Sequence, residues 1–211
     1  RTLRICSESR VICLCADIAM NARCCGERRV LIYNGSPHKD GPVARMLDAF
    51  RTALPPDWAV EEINCYAQPA QPCTGCGACE KRVGCVFTDL DREFAALERA
   101  DVLVFATPVH NLSFSAPLKI RVDRTQRYWA ARFVHGHRPP IARPKQVVLL
   151  TAAGASGRLG HEMVEKQLLP PLTILNARLI ASAAYSGADA GEPLEPVLDE
   201  VRRVARALIV I

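Results

Sequence analysis

Hydrophobic residues along this chain alternate between short unbroken runs and longer stretches in which they recur every three or four positions. Val30-Leu31-Ile32-Tyr33 is the first run, offering no polar residue to either face, as in a strand covered by helices on both sides. Asn34-Gly35-Ser36-Pro37 breaks it. Val43, Met46, Leu47, Phe50 and Leu54 then recur at helical spacing until Pro55-Pro56. A second strand is predicted over 59–66, followed by a long loop over 67–88 that holds four cysteines. Asp89 is expected to cap a short helix with Phe94 and Leu97 on its inner face. Val102-Leu103-Val104-Phe105 marks a third strand over 101–106.

Beyond a polar and aromatic loop at 107–115, the spacing predicts a helix over 116–129 and a Pro- and Arg-rich loop over 132–144. A fourth strand is predicted over 146–151, then a loop of small residues (Ala152-Ala153-Gly154-Ala155-Ser156-Gly157). The next helix is expected to run to about residue 169 and stop at Pro170-Pro171. A fifth strand follows over 177–184. The last helix, 194–209, carries its apolar face on residues such as Leu198, Val201 and Ala205, with Arg202, Arg203 and Arg206 on a solvated face.

Strands alternating with helices imply right-handed βαβ crossovers and a parallel sheet. Five such units in residues 29–211 fit an α/β, flavodoxin-like doubly wound five-stranded parallel sheet of order 2-1-3-4-5, with helices on both faces. Residues 1–28 lack this pattern and hold Cys6, Cys13, Cys15, Cys24 and Cys25. They are expected to form a loosely ordered extension. A second metal site is the rival reading, but Cys13-x-Cys15 and Cys24-Cys25 match no common ligand spacing.

Composition removes several classes of function. Of the 211 residues 49% are hydrophobic and 23% charged, as in globular proteins rather than disordered ones. The net charge of +5 is mild and its Lys and Arg are scattered, unlike the one-sided footprint of a nucleic-acid binder. No apolar run approaches the roughly 18 residues of a membrane span, and Asp17 interrupts the apolar run 11–15 early. No membrane association is expected, and a cytoplasmic location is. Ten cysteines in such a chain point to metal or redox use rather than disulfide stapling.

In a doubly wound sheet, ligands sit at the carboxyl ends of the strands, here at loops 35–43, 107–115 and 151–157. Gly35-Ser36-Pro37-His38-Lys39-Asp40-Gly41 joins the first strand to the first helix. A phosphate there would meet free backbone N–H groups and the positive end of a helix dipole. The loop lacks the G-x-G-x-x-G of a dinucleotide site and the G-K-[ST] of a triphosphate loop, so a single phosphate fits better. Gly, Ser and Pro also serve simple turns, and a turn without ligand is the bland alternative.

Cys73, Cys76, Cys79 and Cys85 read C-x2-C-x2-C-x5-C. Such dense thiolates resemble cubane ligands more than the paired knuckles of a zinc ribbon. Gly75, Gly77 and Gly84 would let the backbone bend around a cluster. Zinc, an empty loop and oxidation to disulfides remain open on spacing alone. Cys65, on the second strand, reads as a small core residue.

Residues 30–37, with Thr107-Pro108-Val109-His110, the segment 113–119 and Asp123-Arg124, resemble the NAD(P)H-dependent FMN reductase family, and the cysteine loop resembles its iron–sulfur flavoprotein branch. The resemblance covers 29–211. It implies FMN, with its phosphate held by Ser36, Pro37, His38, Lys39, Asp40, Gly41, Pro42 and Val43. The flavin ring would lie along Thr107, Pro108, Val109, His110, Asn111 and Leu112, and Ala153, Gly154 and Ser156 would close the other side. Family members often carry Asn and Thr or Ser where this chain has Pro42 and Val43, and Tyr where it has His110. A rigid strand exit is the alternative role for Thr107-Pro108.

By the same resemblance the four cysteines would ligate a [4Fe–4S] cluster. NAD(P)H or a ferredoxin-type redox protein would deliver electrons, a small-molecule acceptor would receive them, and the protein would be a homodimer or homotetramer. Hydride transfer needs no acid or base from the protein, so no catalytic side chain is named. Two rivals stand: a cluster-free reductase of quinones, nitro or azo compounds, and a non-enzymatic flavodoxin-like module with a zinc-stapled loop. His135-x-His137 reads as a surface or subunit-contact loop rather than a metal pair. Tyr128-Trp129 reads as core packing, and His161 as exposed.

Overall fold

The computed structural model describes residues 28–155 and 157–208. The expectations for residues 1–27 and for Ser156 lie outside them. Five parallel strands, β1 (Arg29–Asn34), β2 (Ala59–Asn64), β3 (Val102–Pro108), β4 (Lys145–Ala152) and β5 (Ala177–Tyr185), pair in the order 2-1-3-4-5, as the pattern predicts. The helices are α1 (Pro42–Thr52), α2 (Ala78–Lys81), α3 (Asp91–Arg99), α4 (Ala116–Arg124), α5 (Gln126–Phe133), α6 (Leu159–Ile174) and α7 (Glu195–Ala207).

Alternation along each central strand splits the core in two. Val30 and Ile32, Val102 and Val104, and Val148 and Leu150 face α1 and α7. Leu31 and Tyr33, Leu103 and Phe105, and Val147 and Leu149 face the other side, where α3 to α6 lie. Strands buried on both faces leave no room for polar residues, which is why they read as unbroken apolar runs. Cys65 is fully buried in this core, as expected, and burial pushes its thiol up to about 12. Tyr128 also packs inside, edge-on to Phe94, with its hydroxyl donating to Glu98. Arg28 belongs to the folded body: its guanidinium donates to the Leu208 carbonyl and lies over the Trp58 ring.

Four local expectations are corrected. The helix predicted over 116–129 is two, broken at Thr125, whose hydroxyl donates back to the Val122 carbonyl and bends the chain there. Pro170-Pro171 does not end α6. Val164, Leu168 and Leu172 continue one buried stripe across the prolines, so packing outweighs the carbonyl partners that the prolines remove. Asp89 does not cap α3, whose N-cap is the buried Leu90. Its carboxylate is taken up elsewhere, as described below. The fourth correction is His161, which is buried rather than exposed. Among the described residues, no helix is long and apolar enough to cross a membrane.

Candidate flavin site and cysteine loop

At the carboxyl edge of the sheet the strand ladder continues into the loops. Cys65 N–H donates to Asn34, Gly35 N–H to Ala106, Val109 N–H to Ala152, and Ala153 N–H to Tyr185. These bonds bring loops 35–41, 107–115 and 152–157 side by side in the order that a ligand crossing the sheet edge would meet them.

The first loop is shaped by its own side chains. Asn34 Oδ1 accepts the Ser36 N–H at 3.0 Å, and Ser36 Oγ accepts the His38 N–H at 3.2 Å. Ser36 is buried, whereas Pro37, His38, Lys39 and Asp40 are exposed. Gly35 is forced by proximity: an added Cβ would stand 2.8 Å from Ser115 Oγ and 3.0 Å from Leu118 Cβ. The start of α1 has Gly41 as its N-cap with no side-chain cap, Pro42 in its first turn and no acidic residue there. The positive end of its dipole is therefore open to an anion. Val43 is a core residue, so only its backbone is available to a ligand. A cavity of about 570 Å³ adjoins this loop and is lined by residues including Ser36, Lys39, Arg45 and Arg202, but not by the second or third loop.

The second loop is stiffer than its sequence suggests. Buried Thr107 accepts the Ser115 N–H and donates to the Pro108 carbonyl, tying the end of β3 to the start of α4. His110 and Ser113 exchange two backbone hydrogen bonds around Asn111 (φ 49°) and Leu112 (φ 61°). That is a tight hairpin with both central residues left-handed. Asn at the first of these positions is a legible turn signal, while Leu at the second is not. Gln167 of α6 pins the hairpin, donating to the Leu112 carbonyl and accepting from the Ser113 hydroxyl.

The third loop is tied to the segment after β5. Gly187 N–H donates to Ala155, Ala188 N–H to Ala153, and Asp189 N–H to Gly154. Beneath it runs a buried polar chain that sequence reasoning missed. Thr151 Oγ1 lies 2.7 Å from His161 Nδ1, and His161 Nε2 lies 2.8 Å from Ser186 Oγ. Burial lowers the His161 pKa from its usual value. The polar residues come from a strand end, a helix start and a strand exit far apart in sequence, so no local pattern marks them.

All four loop cysteines line one cavity of about 390 Å³ between the loop and the α4–α5 junction. Gly75, Gly77 and Gly84 all have positive φ, as the expected tight path requires. The Ala78 backbone N–H holds the Cys76 thiol below its usual value, whereas burial raises that of Cys79. Among the described residues, no three Cys, His, Asp or Glu side chains converge closely enough to hold a single metal ion. His135 does not pair with His137 as a ligand. Its Nε2 lies 2.9 Å from the Cys79 carbonyl, a geometry in which it donates and braces α2.

A doubly wound sheet with an open phosphate-type loop at its switch point defines a flavodoxin-like nucleotide-binding class. Within that class the chain belongs to the NADPH-dependent FMN reductase family, which it matches over residues 28–191. It is 34% identical over 109 residues to the iron–sulfur flavoprotein of Archaeoglobus fulgidus, a match covering 51% of this chain and 46% of that protein. The chain thus spans about half the length of the curated relatives it matches. Among solved structures it is similar to the NAD(P)H:quinone oxidoreductase of Methanothermobacter marburgensis, with a TM-score of 0.70 and 22% identity over 87% of this chain and 96% of that one. It is also similar to an azoreductase of Bacillus anthracis, with a TM-score of 0.62 and 19% identity over 85% of this chain and 99% of that one.

Proposed function

We propose that this chain is an FMN-dependent oxidoreductase that carries electrons between NAD(P)H or a ferredoxin-type protein and a small-molecule acceptor, with a [4Fe–4S] cluster on Cys73, Cys76, Cys79 and Cys85. The observation that supports the cluster is that these four cysteines line one cavity in a chain of FMN reductase type. Their softness as ligands suits iron–sulfur chemistry. Bound FMN would supply two-electron exchange with a nicotinamide and one-electron exchange with a cluster.

The residues of the chain fit that role in stated ways. The uncapped first turn of α1 and the Ser36 hydroxyl would receive the FMN phosphate, with Lys39 adding charge. Pro42 lacks an N–H and Val43 points into the core, so the phosphate would depend on backbone groups more than on side chains. The hairpin at His110–Ser113, held by Gln167, would form a rigid floor for the flavin ring, and Ala153 and Gly154, with Ser156, would close the other side. Exposed His110 would meet the ring without needing to transfer a proton. Residues 29–211 would act as one domain, as a homodimer or homotetramer in the cytoplasm.

Anaerobic purification followed by an absorbance spectrum and iron, sulfide and zinc assays tests this. Flavin bands with roughly four iron and four sulfide per chain are expected for a [4Fe–4S] centre. Flavin without iron would replace this reading with a cluster-free reductase, and zinc alone with no flavin uptake would overturn it.

A further inference from the structure

Two arginines one turn apart on α4 are almost fully buried, Arg121 at 3% and Arg124 at 2% exposure. A buried guanidinium is costly unless its charge and its donors are matched. Arg121 is matched by a two-pronged pair with Glu93, both contacts at 2.9 Å, and also donates to the Gln68 carbonyl. Arg124 reaches further along the chain. Its Nη1 donates to the Gln71 carbonyl at 2.7 Å, and its Nη2 donates to the Phe87 carbonyl at 3.0 Å and to Asp89 Oδ1 at 3.0 Å. The other Asp89 oxygen accepts the Gln71 N–H at 2.7 Å.

Gln71 and Phe87 flank the segment that runs from Cys73 to Cys85. One guanidinium therefore joins both ends of the cysteine loop. Its countercharge ties one of those ends a second time, and Arg124 itself lines the cavity that the cysteines share. The planar fork is what makes this possible, because a lysine ammonium is a point charge that cannot span two carbonyls and a carboxylate with the same geometry. None of these contacts involves a thiol, so the closure does not wait for a metal.

We propose that Arg124 is a positioning residue for the cysteine loop, closing it at its base so that Cys73 and Cys85 face one cavity before any metal arrives. Closing a flexible loop in advance removes entropy that ligand binding would otherwise have to overcome. The metal-retention half of this proposal rests on the reading of the cysteines as cluster ligands, and the loop-closure half does not.

The test uses the full chain with FMN bound and metal removed, as wild type, Arg124→Lys and Asp89→Asn. Backbone hydrogen exchange is read over 71–89 and over the strands. Loss of charge-assisted hydrogen bonds is expected to speed exchange in 71–89 about tenfold or more in Arg124→Lys, leaving the strands and the FMN content as in wild type. Asp89→Asn removes the countercharge and one of the two acceptor oxygens while leaving the Arg124 bonds to the Gln71 and Phe87 carbonyls, and should show a smaller change confined to the same segment. After reconstitution with ferrous iron and sulfide, iron should pass to a chelator about tenfold faster from Arg124→Lys than from wild type. Wild-type exchange and wild-type iron release in both variants would overturn the proposal. If Arg124→Lys also loses strand protection, Asp89→Asn decides alone, by the same criterion. Wild-type protein that takes up no iron and sulfide would sink the cluster reading while the exchange comparison still judges the clamp.

Discussion

Gly35 and Ser115 approach so closely that the first loop and the start of α4 share one packing site: a Cβ on Gly35 would stand 2.8 Å from Ser115 Oγ. The Ser115 hydroxyl there is buried and makes no hydrogen bond among the described residues. Gly35→Ala is expected to destabilise by about 1–3 kcal/mol through overpacking and to weaken FMN binding by displacing the loop. Ser115→Ala should be close to neutral in the flavin-free protein, since it removes an unpaired buried group. The double variant should recover part of the Gly35→Ala loss but not all of it, because Leu118 Cβ still stands 3.0 Å away. Thermal denaturation of the four proteins as a double-mutant cycle reads the coupling, and strict additivity would contradict the shared site.

Leu112 sits at φ 61° with 44% of its surface exposed. A left-handed leucine is strained by roughly 1–2 kcal/mol, and little apolar burial offsets this here. Leu112→Gly is expected to raise stability by about 0.5–1 kcal/mol in the flavin-free protein, the gain being smaller than the strain because glycine also frees the unfolded chain. Denaturant unfolding checks the sign. A loss of stability would mean that Leu112 packs in solution more than its exposure implies.

Strand order and the placement of three loops at the carboxyl edge of the sheet are legible because two-faced burial leaves continuous apolar runs and because the βαβ rule fixes where their ends must lie. Cys65 and Tyr128 were legible for the same reason, as apolar or amphipathic residues inside a strand or helix pattern. What escaped was long-range polar pairing. Asp89 resembles a cap in one dimension, yet its partners are Gln71 and Arg124, the second of them 35 positions away. His161 after a small-residue loop looks exposed until β5 brings Ser186 to its far nitrogen. Pro170-Pro171 is a helix breaker in one dimension, yet α6 runs through it because Leu168 and Leu172 continue the buried stripe across it. In each case tertiary contact outweighed a sound local rule.

His161 gives stability a dependence on pH. Burial depresses its folded-state pKa below the ordinary value near 6.5, so in that range the unfolded chain binds the extra proton. Stability from this residue is therefore present above about pH 6.5 and is lost as pH falls through the folded-state value. His161→Gln should flatten that limb relative to wild type, although it also disturbs the contacts to Thr151 and Ser186. The difference in unfolding free energy between the two proteins, followed from pH 8 to pH 5, should shrink towards low pH. A constant difference would mean that His161 takes up its proton at the same pH in the folded and unfolded chains, so that burial does not depress it.

Lys145 produces the same sign at the alkaline end. It is buried at the start of β4, where its ammonium donates to the Glu98 and Ala100 carbonyls at the end of α3. Burial first, and the nearby Arg143 second, lower its pKa to about 8 from 10.5. Between these values the unfolded state holds the proton that the folded state has released. The contribution of Lys145 to stability should therefore rise with pH from about 8 to about 10.5, by up to roughly 3 kcal/mol. Cys65 and Tyr128 act oppositely there, since their folded-state pKa values are raised and the protein loses stability as pH rises past their ordinary values. The wild-type curve alone therefore mixes both signs. Lys145→Met removes one of them, so wild type minus variant isolates the lysine. That difference should grow between pH 8 and 10.5, and a difference that is flat or falls over this window would show that the buried ammonium keeps its proton.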